Sequence, residues 1–324
     1  MRKGFRLALF ALAMLTSAAA PGDSYPSHPV TLIVPFPAGG PTDTLARILS
    51  ARMSTALGQS VVIENVSGAG GMIGVGRVAH AAGDGYTLII GHIGTHVIGP
   101  AIYPIQFDIQ KDFEPVALVA NNPELIVSRG TLPAKDLKEL IAWVKANQAA
   151  ALVGIQGFGT PGHLLSLYFQ NSTGTRLQIV PYRGGAPALQ ALLAGQVDLI
   201  FDQASNSLPQ IRAGKIRAYA VAASTRLAAA PEIPTVDEAG LPGFYLGVWH
   251  GVWAPKKTPR EAVVRLNAAL TEVLADSRVR ERLADLGQDI PPRDQQTPEA
   301  LGAFHKAEID KWWPLIKASG MKAE

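Results

Sequence analysis

Cysteine is absent from the 324-residue chain. That excludes disulfide staples, thiol nucleophiles, thiolate metal sites and a lipid-anchored cysteine. A surplus of charge is nearly absent as well. The formal +3 comes from Arg2, Lys3 and Arg6, and beyond residue 20 basic and acidic residues balance at 26 each. The rest of the chain therefore has no global field for nucleic acid or anionic lipid. After the first 20 residues no segment approaches the ~18 apolar residues of a membrane-spanning helix. No G-x-S-x-G, H-E-x-x-H or P-loop pattern occurs, so the usual motifs of esterases, zinc proteases and phosphate-binding loops are missing. A triad assembled only in space leaves no such motif, so a periplasmic hydrolase stands as a distant alternative.

What is present begins with an export signature. Residues 1–20 combine a charged start, an apolar run over 7–15 and the small-residue end Ser17-Ala-Ala-Ala20, the grammar of a secretory signal. Pro21 disfavours a cut just before it, which places cleavage after Ala19 and assigns residues 1–19 to the signal. Export without cysteine suits a bacterial periplasm.

The stretch Thr31-Leu-Ile-Val-Pro-Phe-Pro-Ala-Gly-Gly-Pro-Thr-Asp43 organises the rest of the chain. Residues 31–34 read as an apolar strand running into a Gly-rich turn. Leu45, Ile48, Leu49, Met53 and Leu57 then recur at helical spacing, and Gly58 suits the C-terminal cap. Pro41 fits the first helical position, where no N–H is needed. Gly39 and Gly40 leave amides uncovered before the helix, and with the positive helix end they make a seat for an anion. Asp43, in the first turn, reads first as a carboxylate complementing the helix dipole and second as a ligand contact.

The same grammar returns twice. Gly157-Phe-Gly-Thr-Pro-Gly162 follows a strand and precedes a helix. It matches the dinucleotide pattern G-x-G-x-x-G, but the next strand ends at Arg183 and supplies no acid for a ribose hydroxyl. Its local physics is that of a second anion seat: Thr160 can cap, Pro161 fits the first helical position, and Gly157, Phe158 and Gly159 shape the loop. Arg183-Gly184-Gly185-Ala186-Pro187 is the third instance, with an arginine able to hold a carboxylate or make a surface ion pair. Asp202 ends an apolar strand, as a turn residue or as an acceptor for a ligand donor. His163, at the helix start, reads as packing or capping support. His92 and His96 are separated by Gly94 and lack a nearby acid, which argues against a metal site.

Strand and helix signals alternate along 31–90 and again along 151–222, predicting an α/β fold with parallel sheets. Helices are expected over 41–57, 72–82, 133–144, 161–169 and 187–193. Asn121-Asn122-Pro123 and the apolar segment 244–252 read as crossings between two domains. Thr258-Pro-Arg-Glu261 has capping-box spacing and is expected to open a long helix, and Thr297 opens the last, which packs back on the first domain.

With these loops located, the chain resembles the extracytoplasmic solute receptors of tripartite tricarboxylate transporters, the Bug receptors. The resemblance rests on Val34-Pro-Phe-Pro-Ala-Gly-Gly-Pro-Thr-Asp43, Val62-Ile-Glu-Asn65 with Gly68-Ala-Gly-Gly71, Asp84-Gly-Tyr-Thr-Leu88, Asp112-Phe-Glu-Pro-Val116, Val180-Pro-Tyr-Arg-Gly184, Ala213-Gly-Lys-Ile-Arg217 and Pro234-Thr-Val-Asp-Glu-Ala-Gly240. It implies a type II periplasmic-binding-protein-like fold, with lobe 1 over 24–122 and 247–324 and lobe 2 over 123–246. It also implies a monomer without cofactor, metal or catalytic residue. Such a receptor holds a small organic carboxylate between its lobes and delivers it to the small and large membrane subunits of a permease, or presents it to a sensor kinase. By position, the resemblance assigns ligand binding to Phe36, Ala38, Gly39, Gly40, Thr42 and Asp43 in lobe 1. Ile93, Thr95 and His96 join them. In lobe 2 it assigns Gly157, Phe158, Gly159, Thr160, His163, Arg183, Gly184, Gly185, Ala186 and Asp202. Ala38 stands where the family commonly has proline, Gly99-Pro100 replaces Asn-Pro, and Phe158 favours a flatter, more apolar acid.

The signal reading has a direct check. Intact-mass analysis of the secreted protein is expected to show Ala20 as the first residue; a mature chain that retains Arg2, Lys3 and Arg6 would contradict it.

Overall fold

A computed structural model describes residues 25–323; the expected signal segment lies outside these residues. The chain opens as β1 (Val30–Val34), α1 (Pro41–Leu57), β2 (Val61–Asn65), α2 (Met72–Ala79) and β3 (Thr87–His92). β1 lies between β2 and β3 and pairs with both in parallel. Its side chains are nearly all buried, as expected of a parallel strand covered on both faces. Leu45, Leu49, Met53 and Leu57 form the buried stripe of α1, and Gly58 ends the helix at φ 72°. A π-turn (Gly94–Ile98) and the short α3 (Gly99–Ile102) come next.

The centre of the molecule is β4 (Phe113–Arg129), a 17-residue strand. Its first part runs antiparallel to β9 (Gly247–Pro255), from Phe113↔Pro255 to Pro123↔Gly247. Its second part pairs with β7 (Leu199–Gln203) and β8 (Ile216–Val221), both antiparallel. β9 then returns to β3 antiparallel. The crossing expected at Asn121-Asn122-Pro123 is made by β4, which runs straight through as one strand. Its prolines sit where the ladder can spare a donor: Pro115 at a register shift and Pro123 at the last pair with β9.

The other half holds α4 (Leu137–Ala146), β5 (Leu152–Ile155), α5 (Pro161–Thr173), β6 (Gln178–Pro181), α6 (Gly185–Leu193), β7, α7 (Ala204–Arg212) and β8. β5 pairs in parallel with β6 and β7. The strand order is β2-β1-β3-β9-β4-β7-β5-β6, with β8 branching from β4. α4 starts later than Pro133 because Asp136 caps it, accepting from the Glu139 amide at 2.8 Å. α7 has no expected counterpart; its Ser- and Asn-rich start and internal Pro209 hide it from propensity.

The tail forms α8 (Arg260–Ala275), α9 (Ser277–Asp285) and α10 (Pro298–Ser319). α8 packs on α1, and α10 on β4 and the π-turn, as anticipated for the last helix. The expected capping box at Thr258 does not form. Thr258 donates its hydroxyl to Pro255 O, and Pro259 precedes the helix without a side-chain cap. Asp276 ends α8 and caps α9, dividing what reads as one helix. Among the described residues no helix is long and apolar enough to cross a membrane.

Phe169, Phe201 and Phe244 meet at ring separations of 5.5–6.2 Å in the core behind β7. Phe169→Ala is expected to lower the unfolding free energy by about 3–5 kcal/mol in urea melts; a loss under about 1 kcal/mol would contradict this packing.

Candidate functional site

The loop after β1 reaches α1 without a side-chain cap. Gly40 is extended (φ −82°, ψ 175°), Pro41 occupies the first helical position, and the first helical bond runs from Thr44 N to Gly40 O. The polar side chains beside this helix start are engaged elsewhere. Asp43 accepts from the Gly39 amide (2.8 Å), from Arg47 Nε and Nη2 (2.8 and 3.0 Å) and from Asn65 Nδ2 (2.9 Å). Burial disfavours its ionisation, but Arg47, the Gly39 amide and Asn65 together outweigh that and hold it below the usual carboxylate range. The Gly39 amide is thus not bare, which corrects that part of the expectation. The amides of Gly40 and Thr42 have no protein acceptor among the described residues.

The start of α5 repeats the pattern. Thr160 precedes Pro161 in extended conformation but does not cap. Its hydroxyl donates to Gly157 O at 2.6 Å and braces the loop from within. His163 Nδ1 accepts the Gly159 amide at 3.3 Å, and burial pushes its pKa down to about 4. The amides of Gly162 and His163 remain without a protein acceptor among the described residues. The α6 start abuts α1: a side chain at Gly185 would sit 2.9 Å from Pro41 Cδ, and one at Gly184 (φ +128°) 2.8 Å from Pro37 Cδ. Only glycine permits that approach with that backbone. The two halves also touch at the other rim, where Gly70 lies against the Phe158 carbonyl.

Between them lies a narrow cleft with about 20 Å³ of free space, room for little more than a water, partly open to solvent. The starts of α1 (Pro41, Thr42) and α5 (Thr160, Pro161) line it together with Phe36, His92, Glu124, Gln156 and Gln203. A wider mouth of about 300 Å³ adjoins it, at the lower end of small-molecule sites (about 300–1,000 Å³), lined by Phe36, Gly70, Phe158, Tyr182 and Arg183 among others. Arg183 is exposed there.

The wall on the β3 side is a histidine pair. His92 stacks on Phe36 (4.9 Å, 8°) and meets His250 edge-on at 5.3 Å. His92 Nδ1 accepts the Gly94 amide at 2.8 Å, so in the neutral ring the proton is on Nε2. Burial first, and His250 second, lower the His92 pKa well below its ordinary value. His250 directs Nδ1 to Val248 O (3.2 Å) and Nε2 to the Thr42 hydroxyl (3.2 Å); burial pushes its pKa down to about 4. The floor is the crossing of β4 and β7. Asn122 Nδ2 donates to Gln203 Oε1 (3.0 Å) and Ser205 Oγ (2.6 Å). Gln156 Nε2 donates to Phe201 O at 2.6 Å.

Several expected residues stand off the cleft. Ala38 is exposed at the loop tip. Thr95 bonds back to the His92 backbone, and Ile93 is buried in the core behind it. His96 faces away altogether: its ring stacks on Trp253 at 3.8 Å and its carbonyl accepts from His305. Asp202 holds the start of α7, accepting from Asn206 Nδ2 (2.8 Å) and Ser207 Oγ (2.6 Å); burial pushes its pKa up to about 7 against those bonds. Conversely, Glu124, Gln156, Gln203, His92 and His250 enter the architecture without an expected binding role. Gln156 and Gln203 follow or end strands at their carboxyl edges, where open α/β sheets present ligand sites. Glu124 is an acid opening the apolar run Leu125-Ile-Val127, itself a signal of function.

The family model "Tripartite tricarboxylate transporter family receptor" matches residues 45–321. Protein BugT of Bordetella pertussis is 36% identical over 321 residues, covering 98% of each chain. The structure of periplasmic binding protein BugD superposes with a TM-score of 0.89 at 41% identity, covering 92% of this chain and 99% of the other. MatC from Rhodopseudomonas palustris, with bound malate, gives 0.87 at 44% identity, covering 90% and 100%.

The buried histidines make stability fall in acid. His250 and His163 take up protons near pH 6.5 when unfolded but only near pH 4 when folded. Their contribution is complete above about pH 6.5 and is lost as pH falls toward 4. Urea melts from pH 7 to pH 4.5 are expected to show His250→Gln losing less stability than the parent, by about 1.4 kcal/mol per pH unit below 6. Parallel profiles would contradict the assignment.

Proposed function

Because the chain belongs to the tripartite tricarboxylate transporter receptor family, whose binding-protein-like fold it shares, we propose that it is a periplasmic receptor that captures a small organic carboxylate and delivers it to a tripartite tricarboxylate-type permease. One observation carries this reading: the uncapped first turns of α1 and α5, one from each half of the sheet, open onto a single cleft. Bare amides at helix starts favour an anion through direct hydrogen bonds and through the helix dipole. A carboxylate bonded to such amides gains about 1.5–3 kcal/mol per charge-assisted bond.

Lobe 1 is then 24–122 with 247–324 and lobe 2 is 123–246, hinged where β4 and β9 cross. Ligand held by both helix starts biases the equilibrium toward closure. Gly40, Thr42, Thr160 and His163 would supply backbone contacts, with Phe36 and Gly185 packing the sides. Asp43, Gly39, Gly159 and Gly157 hold the seats in shape, and Arg183 steers anions at the mouth. The closed state exposes a composite surface to the permease subunits. MatC, a relative with bound malate, and BugD, a periplasmic binding protein, agree with this ligand class and compartment.

Thermal denaturation against malate, succinate, citrate and aromatic acids tests this. A ligand at 100 times its Kd is expected to add about 2.7 kcal/mol and raise Tm by several degrees. Unchanged Tm with every acid would contradict the proposal.

A further inference from the structure

The Gly68-Ala-Gly-Gly71 loop and Tyr103 stand on one wall of the mouth, and Gly157, Phe158 and Tyr182 on the other. Phe36 and Gln156 line both the mouth and the cleft behind it, so the mouth continues the cleft toward solvent. The loop holds an uncommon backbone: Gly68, Ala69, Gly70 and Gly71 all take positive φ (133°, 48°, 60° and 96°). Alanine at such a φ is strained, and strain of this kind collects at clamps and switches. Here it secures a close approach. A side chain on Gly70 would run into the Phe158 carbonyl, and one on Gly159 (φ +74°) would sit 3.1 Å from both Ile102 Cδ1 and Tyr103 Cε2. Tyr103, just after α3, donates its hydroxyl to Phe158 O at 3.2 Å. Burial raises its pKa, so the hydroxyl keeps its proton at neutral pH. Among the described residues, hydrogen bonds between the two halves come from three places. Asn122 bonds Gln203 and Ser205 at the crossing, Arg212 bonds Asp285 at the far end of α7, and Tyr103 spans the mouth.

We propose that Tyr103 and the 68–71 loop form a closure latch on Phe158 O: the bond forms only when the halves meet at the mouth, and it sets how long a bound molecule stays. The inference rests on the receptor reading and adds to it. β4 and β9 run on through the crossing, so a hinge motion there leaves the Asn122 bonds in place and takes the walls of the mouth apart. The acceptor is a main-chain carbonyl on a braced loop. Thr160 Oγ1 donates to Gly157 O, and the Gly159 amide donates to His163 Nδ1. The latch therefore grips the loop that leads into α5, and closing the mouth also places the start of that helix. Entry precedes closure, so the latch leaves encounter alone and acts on escape. One net hydrogen bond shifts the closed-to-open ratio by about two- to ten-fold, and the dissociation rate moves by the same factor.

The chain has no cysteine of its own, so nitroxide labels on Ala51→Cys in α1 and Asn171→Cys in α5, both exposed, report the separation of the halves cleanly. Double electron–electron resonance, with and without malate, then tests the latch. The labelled parent is expected to populate a short-distance state, and Tyr103→Phe, which keeps the ring, to lower its closed-to-open ratio about two- to ten-fold. Gly70→Ala sets a methyl group against the Phe158 carbonyl and is expected to deplete the short-distance state further; it supplies a second variant if the first does not fold. Circular dichroism and Tm without malate confirm folding. Stopped-flow tryptophan fluorescence is expected to show malate leaving Tyr103→Phe faster by the same factor with its association rate unchanged, a split that lost packing alone would not give. Tyr103→Phe with the parent's distances and dissociation rate, or a parent that never populates the short distance, would overturn the latch while leaving the receptor reading intact. Failure of every acid in the thermal panel would count against the receptor reading instead, and the ligand-free distances would still uphold or overturn the latch.

Discussion

An anion seat made from main-chain amides survives only if the protein's own side chains stay out of it. Serine, threonine and aspartate beside a helix start ordinarily cap it. Here each is diverted. Thr160 turns its hydroxyl to Gly157 O, Asp43 is held by Gly39, Arg47 and Asn65, and Thr42 reaches His250. These bonds shape the loops and keep Gly40, Thr42, Gly162 and His163 free to donate outward. Proline at the first helical position of α1 and α5 sets φ without needing an acceptor. The seat is thus a matter of what the loops withhold as much as what they present.

The sheet brings the two seats together. Because β4 serves β9 along its first part and β7 and β8 along its second, one strand carries both halves. The helix starts on either side then face across the crossing, over Glu124 and Gln203. The tight contacts of Gly184 on Pro37 and Gly185 on Pro41 limit how far the halves can approach and so define the cleft's size. Buried neutral histidines line one wall. They offer hydrogen-bonding atoms without charge.

Much of this is legible in the chain itself. The Gly-Pro helix starts, the alternation of strands and helices, and the structural role of Asp43 can be read from turn chemistry and period. Thr160 is recognisable as the residue before the helix, yet it does not cap, because spacing cannot say which of two acceptable partners a hydroxyl takes. Thr258 fails as a capping box for the same reason: its hydroxyl takes Pro255 O instead. α7 stays hidden because propensity counts its Ser- and Asn-rich start and Pro209 against a helix. Glu124, Gln156 and Gln203 escape a reading of the sequence because strand-end polar residues become a site only when the topology sets their edges together. His96 shares the loop of the expected site but is an aromatic packing partner of Trp253.

The central claim is that the free amides at two helix beginnings hold the ligand. Amide resonances tracked during titration with a carboxylate that raises Tm test it most directly. The account predicts downfield shifts of the Thr42 and His163 N–H protons together, saturating at one ligand per chain. Unmoved Thr42 and His163 signals, with shifts clustered elsewhere, would contradict it.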